Sequence, residues 1–201
     1  MTLLYLASQS PRRLQLLQQI GVVPILLLPE AQEDAEALEA HQPGELPAHY
    51  VQRVTALKLS AAVARHGRRS LAPGAVLAAD TTVALGRRIL GKPADASEAV
   101  ATLSALSGRT HRVLTAVALQ AGRRRWQVVQ VSHVRFSELT PAVIDRYVAS
   151  GEPFGKAGAY AIQGALAGWV AHIDGSHSGI MGLPLFQTAQ LLRQAGVDTR
   201  P

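Results

Sequence analysis

The sequence predicts an α/β fold, a mixed twisted sheet with flanking helices, and three observations carry that expectation. Short apolar runs at 3–7, 22–28 and 74–79 read as buried strands. Amphipathic stretches of helical length alternate with them. Two runs with period-two alternation, 111–119 and 126–136, flank a turn at Ala121-Gly122 and read as a hairpin. The 201 residues suffice for one domain, 1–201, built as two lobes that share a core.

Each element has its own signal. Ser8-Gln9-Ser10 follows the first strand, and Pro11 comes next. Ser10 suits an N-cap and Pro11 the first helical position, where its missing N–H costs nothing. Leu14 and Leu17 mark the face of this helix and Gly21 its stop. The second strand, 22–28, ends at Pro29. Residues 30–45 hold six of the fourteen carboxylates and read as a solvated loop or a short helix. Residues 47–64 form an amphipathic helix with Val51, Val54, Leu57 and Ala61 inward, followed by a basic turn at 66–69. Asp80-Thr81-Thr82 stands at the end of the strand 74–79. Gly86 then turns the chain into a short run ending at Leu90. Residues 97–106 are helical, with Ser97 as the cap. Thr140-Pro141 opens a helix that ends near Gly151. A strand at 169–173 and a helix at 184–194, stopped by Gly196, complete the chain. Residues 152–164 are rich in glycine and fit no regular element.

Composition narrows the chemistry. The absence of cysteine excludes disulfides, thiolate zinc sites and a cysteine nucleophile. No two of the seven histidines stand at i, i+4, so the helical histidine metal motif is absent. No run is long enough to span a membrane, and the N-terminus lacks the basic region of a signal peptide, so the expectation is cytoplasmic. The net charge of +6 points to a polyanionic partner or to an arginine-rich solvated surface. Seventeen of the twenty basic residues are arginine, and the three lysines, Lys58, Lys92 and Lys156, mark places where a compact ammonium is used.

Four constellations carry chemistry. In Ser8-Gln9-Ser10-Pro11-Arg12-Arg13 a strand feeds a helix N-terminus whose backbone N–H groups are unpaired. Two arginines there repel the positive end of the helix dipole, and a bound phosphate resolves the conflict. The alternative is that both arginines point into solvent. Asp80, at a strand end, can bind a divalent metal or activate water, or it simply begins a turn. Lys92 lies between Gly91 and Pro93 on a stiff turn, a placement that suits phosphoryl chemistry and also suits any loop. In the stretch 151–164, Lys156 adds charge. Gln163 offers both a donor and an acceptor, fit to read the edge of a base or to face water.

These segments together resemble the Maf family of nucleotide pyrophosphatases. The matching stretches are LASQSPRR (6–13), AADTTV (78–83), LGKPAD (90–95), LSGRTHRVLTAVAL (106–119), YVASGEPFGKAGAYAIQG (147–164) and GLPL (182–185), in the family's order and spacing. The resemblance implies a Maf/ITPase-like fold with a central cleft between two lobes, cleavage between the α- and β-phosphates, and a divalent cation, Mg2+ or Mn2+. Asp80 matches the family's general base, and Arg12, Thr81 and Gln163 match positions tied to substrate choice. The form KAGAYAIQG is similar to that of the subgroup acting on dTTP and UTP, with modified pyrimidine nucleotides as further substrates. Ser8, Ser10, Arg13, Lys58, Lys92 and Lys156 are the phosphate-binding candidates. Glu33 is the candidate second metal carboxylate beside Asp80, chosen over Asp34 and Glu36 by its distance after SPRR. By family analogy a homodimer is expected. Two departures stand out: Gly155 replaces an acidic residue before Lys156, and residues 32–43 follow the family pattern poorly.

A reading from a different class is a non-catalytic regulator of septum formation that binds nucleotide or nucleic acid. The arginines lack the aromatic interleaving that stacks bases, so nucleic acid is not the expected partner. A nucleoside triphosphate substrate is.

Overall fold

The computed structural model describes residues 2–30, 33–34 and 37–200. The strands are β1 (Leu3–Leu6), β2 (Ile25–Leu26), β3 (Gly74–Leu85), β4 (Arg88–Leu90), β5 (Thr110–Ala121), β6 (Arg124–Phe136) and β7 (Val170–Asp174). The α-helices are α1 (Pro11–Gln19), α2 (Pro47–Arg68), α3 (Ala96–Leu106), α4 (Pro141–Ala149), α5 (His177–Met181) and α6 (Leu185–Gln194). Among the described residues one sheet of seven strands runs in the order β2-β1-β3-β5-β6-β7, with β4 also on β3. The β2, β1 and β3 pairings are parallel, and every other pairing is antiparallel. The mixed α/β architecture is the one the sequence predicts. No helix among the described residues is long and apolar enough to cross a membrane.

Strand β3 is the spine of the sheet. On one edge it pairs with β5 without interruption from Ala75 to Ala84. Its other edge is shared. β1 pairs with Gly74–Leu77, and β4 pairs with 83–85. Between Leu77 and Val83 this edge has no strand beside it, and Asp80 lies in that opening. Alternation along the strand then divides the side chains. Val76 and Ala78 pack toward α2 with Leu59 and Ala62. Ala75, Leu77 and Ala79 pack on the other face with Leu16, Leu17, Leu183 and Leu192. A further core at the far end joins Val83 and Leu90 to α3, α4 and the segment 159–166.

The structure differs from the sequence expectation at several elements. Asp80 is within β3, not at its end, because β5 pairs with the chain straight through Asp80-Thr81-Thr82. α2 runs on through 66–68, where a turn was expected. Its buried face holds Val51, Val54, Thr55, Leu59, Ala62 and Arg65, whereas Leu57 is exposed. Polar groups share this face because each finds a backbone partner: Thr55 Oγ1 donates to Val51 O at 2.7 Å and Arg65 Nη1 to Leu27 O at 2.9 Å. The second strand shrinks to two residues. The cap of α3 is Asp95, whose carboxylate accepts from the Glu98 amide at 2.8 Å, and Glu98 reaches back to the Ala94 amide. Ser10 is the N-cap residue of α1, but its side chain makes no capping bond.

Candidate active site

The opening along β3 leads into a cleft of about 470 Å³. Ser8, Ser10, Arg12, Arg13, Lys58, Asp80, Thr81, Lys92, Lys156 and Gln163 all line it. Of the residues singled out from the sequence, Glu33 alone does not.

Asp80 and Thr81 are neighbours on a strand, so their side chains leave on opposite faces. Both still reach the cleft because the edge between them is open. Asp80 is buried and faces α2, where Lys58 Nζ donates to its Oδ1 at 2.6 Å. Thr81 faces α5 in a chain of hydroxyls. Thr115 Oγ1 donates to Gly179 O at 2.7 Å, which leaves it an acceptor for the Thr81 hydroxyl at 2.9 Å. Arg13 Nη2 donates to Thr81 Oγ1 at 3.4 Å.

The two arginines of α1 do not point into solvent. Arg13 turns back across the cleft floor and donates to Gly182 O at 2.8 Å and to Ser8 Oγ at 3.1 Å. Ser8 Oγ also accepts the Ser10 amide at 3.2 Å, tightening the turn between β1 and α1. Arg12 Nε donates to Met181 O at 3.4 Å. Burial lowers the pKa of Arg13, against the attraction of Asp80, yet a guanidinium starts high enough to stay charged. Gly182 stands at φ +120, a conformation that favours glycine, and a Cβ there would touch Arg13 Nε at 3.5 Å and Thr81 Oγ1 at 3.6 Å in ordinary contact.

The acidic loop supplies the residue that sequence reasoning missed. Lys58 Nζ donates to Glu39 Oε1 at 2.7 Å as well as to Asp80, and Lys92 Nζ donates to Glu39 Oε2 at 2.9 Å. Burial alone would raise the pKa of Glu39, but Lys58 and Lys92 outweigh it and hold the carboxyl below its usual range. Tyr50 of α2 fixes the backbone here, its hydroxyl donating to Glu39 O at 2.9 Å. Glu33 instead pairs with Arg65 and Arg68, and the Arg65 bond chiefly lowers its pKa. Asp34 is exposed, with Oδ1 accepting the Ala37 amide at 2.9 Å, and Glu36 lies outside the described residues. Among the described residues no three acidic or histidine side chains converge as a preformed metal cluster.

The glycine-rich stretch forms the opposite wall. Gly158 donates to Gly91 O at 3.0 Å, joining this wall to the turn that carries Lys92. Lys156 Nζ donates to the Glu152 carbonyl. Gln163 is exposed on the cleft, and Phe154, 40% exposed, lines it from the same loop. At Gly155 a Cβ would meet nothing within 4 Å, so the missing acidic side chain leaves open space. His111 Nε2 lies 2.7 Å from the Tyr160 hydroxyl behind this wall.

The cleft thus sets an oxygen donor pair, Asp80 and Glu39, among six cationic side chains, one of which, Arg65, is paired with Glu33, a placement suited to a polyanion that carries a hard cation. The chain matches the family model described as Maf-like protein over residues 3–195. It is 62% identical over 193 residues to a dTTP/UTP pyrophosphatase of Polaromonas sp., covering 96% of each chain. It is 60% identical over 196 residues to the protein of that name from Cupriavidus metallidurans, covering 98% of each. A third relative of the same name, from Albidiferax ferrireducens, is 61% identical over 193 residues, with 96% of each chain covered. With a match over nearly its whole length and relatives this similar, the chain belongs to the Maf-like protein family.

Proposed function

We propose that this chain hydrolyses dTTP and UTP, and modified pyrimidine nucleotides of the same shape, to the monophosphate and pyrophosphate in the cytoplasm. The observation that carries the reading is the convergence of separate segments, 8–13, 58, 80–81, 92 and 154–163, on one cleft of nucleotide size. The names of the relatives supply the bond and the base.

Asp80 acts as the general base, taking a proton from a water aligned for in-line attack on the α-phosphorus. Arg12, Arg13, Lys92 and Lys156 stabilise charge on the departing pyrophosphate. Thr81, held by Thr115 and Arg13, presents its hydroxyl to the cleft from the face of β3 opposite Asp80. Gln163 hydrogen-bonds the O4/N3 edge of the pyrimidine, with Phe154 offering a ring face on the same loop. Asp80 and Glu39 fit a divalent cation, because paired carboxylates are hard oxygen donors of the kind Mg2+ and Mn2+ prefer. Such an ion, when bound, would offset part of the triphosphate's negative charge.

The test is pyrophosphate release across dTTP, UTP, CTP, GTP and 7-methyl-GTP with Mg2+ or Mn2+. The expected result is turnover of dTTP and UTP well above the purines, and Asp80→Asn should bind nucleotide without turnover. Absence of turnover with every triphosphate would refute the reading.

A further inference from the structure

One ammonium holds both carboxylates of the cleft. Lys58 Nζ is 2.7 Å from Glu39 Oε1 and 2.6 Å from Asp80 Oδ1. These are charge-assisted bonds at their strong length. The two acids come from different elements, a loop turn and the centre of β3, and Lys58 reaches both from α2. Lys58 thus takes one oxygen of each acid. Glu39 Oε2 is taken by Lys92 at 2.9 Å.

Local charge reinforces this closure. Of the six cationic side chains lining the cleft, Arg65 is paired with Glu33, and Arg12, Arg13, Lys58, Lys92 and Lys156 set against Glu39 and Asp80 leave a surplus of three positive charges. A bare dication is repelled from such a field, whereas a metal–triphosphate complex, a net anion, is drawn in. An incoming triphosphate also offers Lys58 a new partner.

We propose that Lys58 is a resident cation that shuts the Glu39–Asp80 pair to a free divalent ion and yields it only to a metal-bound triphosphate. Binding order is therefore built into the site: nucleotide and ion enter together, and the empty protein has little metal affinity of its own. This rests on the pyrophosphatase reading only for the identity of the triphosphate. Lys58's hold on the two acids is independent of it.

The experiment measures Mn2+ binding to the full chain by electron paramagnetic resonance, without nucleotide and then with non-hydrolysable α,β-imido-dUTP. Wild type should leave Mn2+ free until the analogue is added. Lys58→Met, which keeps the length of the side chain and removes its charge, should bind Mn2+ alone more tightly by roughly tenfold or more, as expected when a unit charge leaves the side of a dication. Asp80→Asn in that background should abolish the gain. Lys58→Gln serves if the methionine variant fails to fold, as judged by circular dichroism. Equal Mn2+ affinity in wild type and the folded Lys58 variant, whether tight or absent, overturns the proposal. Pyrophosphate release by wild type is scored separately, so failure of the enzymatic reading leaves the Mn2+ comparison intact.

Discussion

Replacing Gly158 with alanine should damage both stability and catalysis, although Gly158 carries no functional group. Its φ is +71, and an added Cβ would lie 2.8–2.9 Å from Cγ1, Cβ and Cγ2 of Val83. The left-handed backbone costs an alanine about 1–2 kcal/mol. Overpacking against a β-branched residue fixed in the sheet adds about 1–3 kcal/mol. Stiffening of the unfolded chain returns about 0.4–1 kcal/mol. The net expectation is a loss of about 2–4 kcal/mol, read from urea unfolding followed by circular dichroism. Val83→Ala removes the Cγ1 and Cγ2 contacts but leaves the one with Cβ and the backbone strain, so the double variant should recover part of the loss, with a coupling of about 1 kcal/mol or more. Val83 is three residues past Asp80 on the same strand, so moving the 155–163 wall off it should also lower kcat/KM. A Gly158→Ala loss under about 1 kcal/mol, or strict additivity with Val83→Ala, would sink the argument that this contact fixes the wall.

Three further outcomes follow from the geometry. Glu39→Gln should raise the metal concentration needed for half-maximal activity, whereas Glu33→Gln should leave it unchanged and lower stability by weakening the hold on buried Arg65; the reverse pattern in a metal titration would restore Glu33 as the second metal carboxylate. Thr115→Val strips Gly179 O of one of its two donors and the Thr81 hydroxyl of its acceptor, and should cost about 1–3 kcal/mol in chemical unfolding, with a raised KM. Burial pushes His111 from 6.5 down to about 4, so the unfolded chain binds the extra proton between those values. Its contribution, roughly 3 kcal/mol, is complete above pH 6.5 and is lost as pH falls toward 4; His111→Phe should flatten that part of the stability profile, and an unchanged profile would show that His111 does not carry it.

The strands and helices were legible wherever local pattern and tertiary packing agree. The hairpin of β5 and β6 follows its alternation, and α1, α4 and α6 start and stop near their Pro and Gly signals. Apart from the α3 cap, which is settled locally, the main misreadings share one cause, a partner distant in sequence. Asp-Thr-Thr reads as a strand end until β5 pairs with it residue by residue. Leu57 reads as core, but α2 buries Arg65 instead, whose guanidinium reaches the Leu27 carbonyl 38 residues away. Glu39 was hidden for the same reason, yet a signal for it existed. A loop that runs back along a helix must meet that helix in reverse order. The pairs Glu45–Arg53, Glu39–Lys58 and Glu33–Arg65 follow this rule. Matching the acidic loop antiparallel to the basic residues of α2 selects Glu39 for Lys58, and through Lys58 for Asp80.

The same pairing explains how the site keeps positive charge where it matters. Arg53, Arg65, Arg68 and Arg69 of the α2 region share three loop carboxylates, Glu45, Glu33 and Glu30, so most of the basic character of this helix is neutralised internally. Lys58 and Lys92 are balanced by Asp80 and Glu39. Arg12, Arg13 and Lys156 donate to partners different in kind: backbone carbonyls and hydroxyls. A neutral acceptor orients a cation without cancelling its charge. The surplus of three positive charges in the cleft therefore resides on groups already aimed by the fold, and that is the preorganised field a transferring phosphoryl group requires. Replacing Gly182 with glutamate would test the principle, since a carboxylate beside Arg13 Nε should cancel one of the three and weaken triphosphate binding far more than Gly182→Ala; equal losses in the two variants would mean that shape, not charge, governs this part of the cleft.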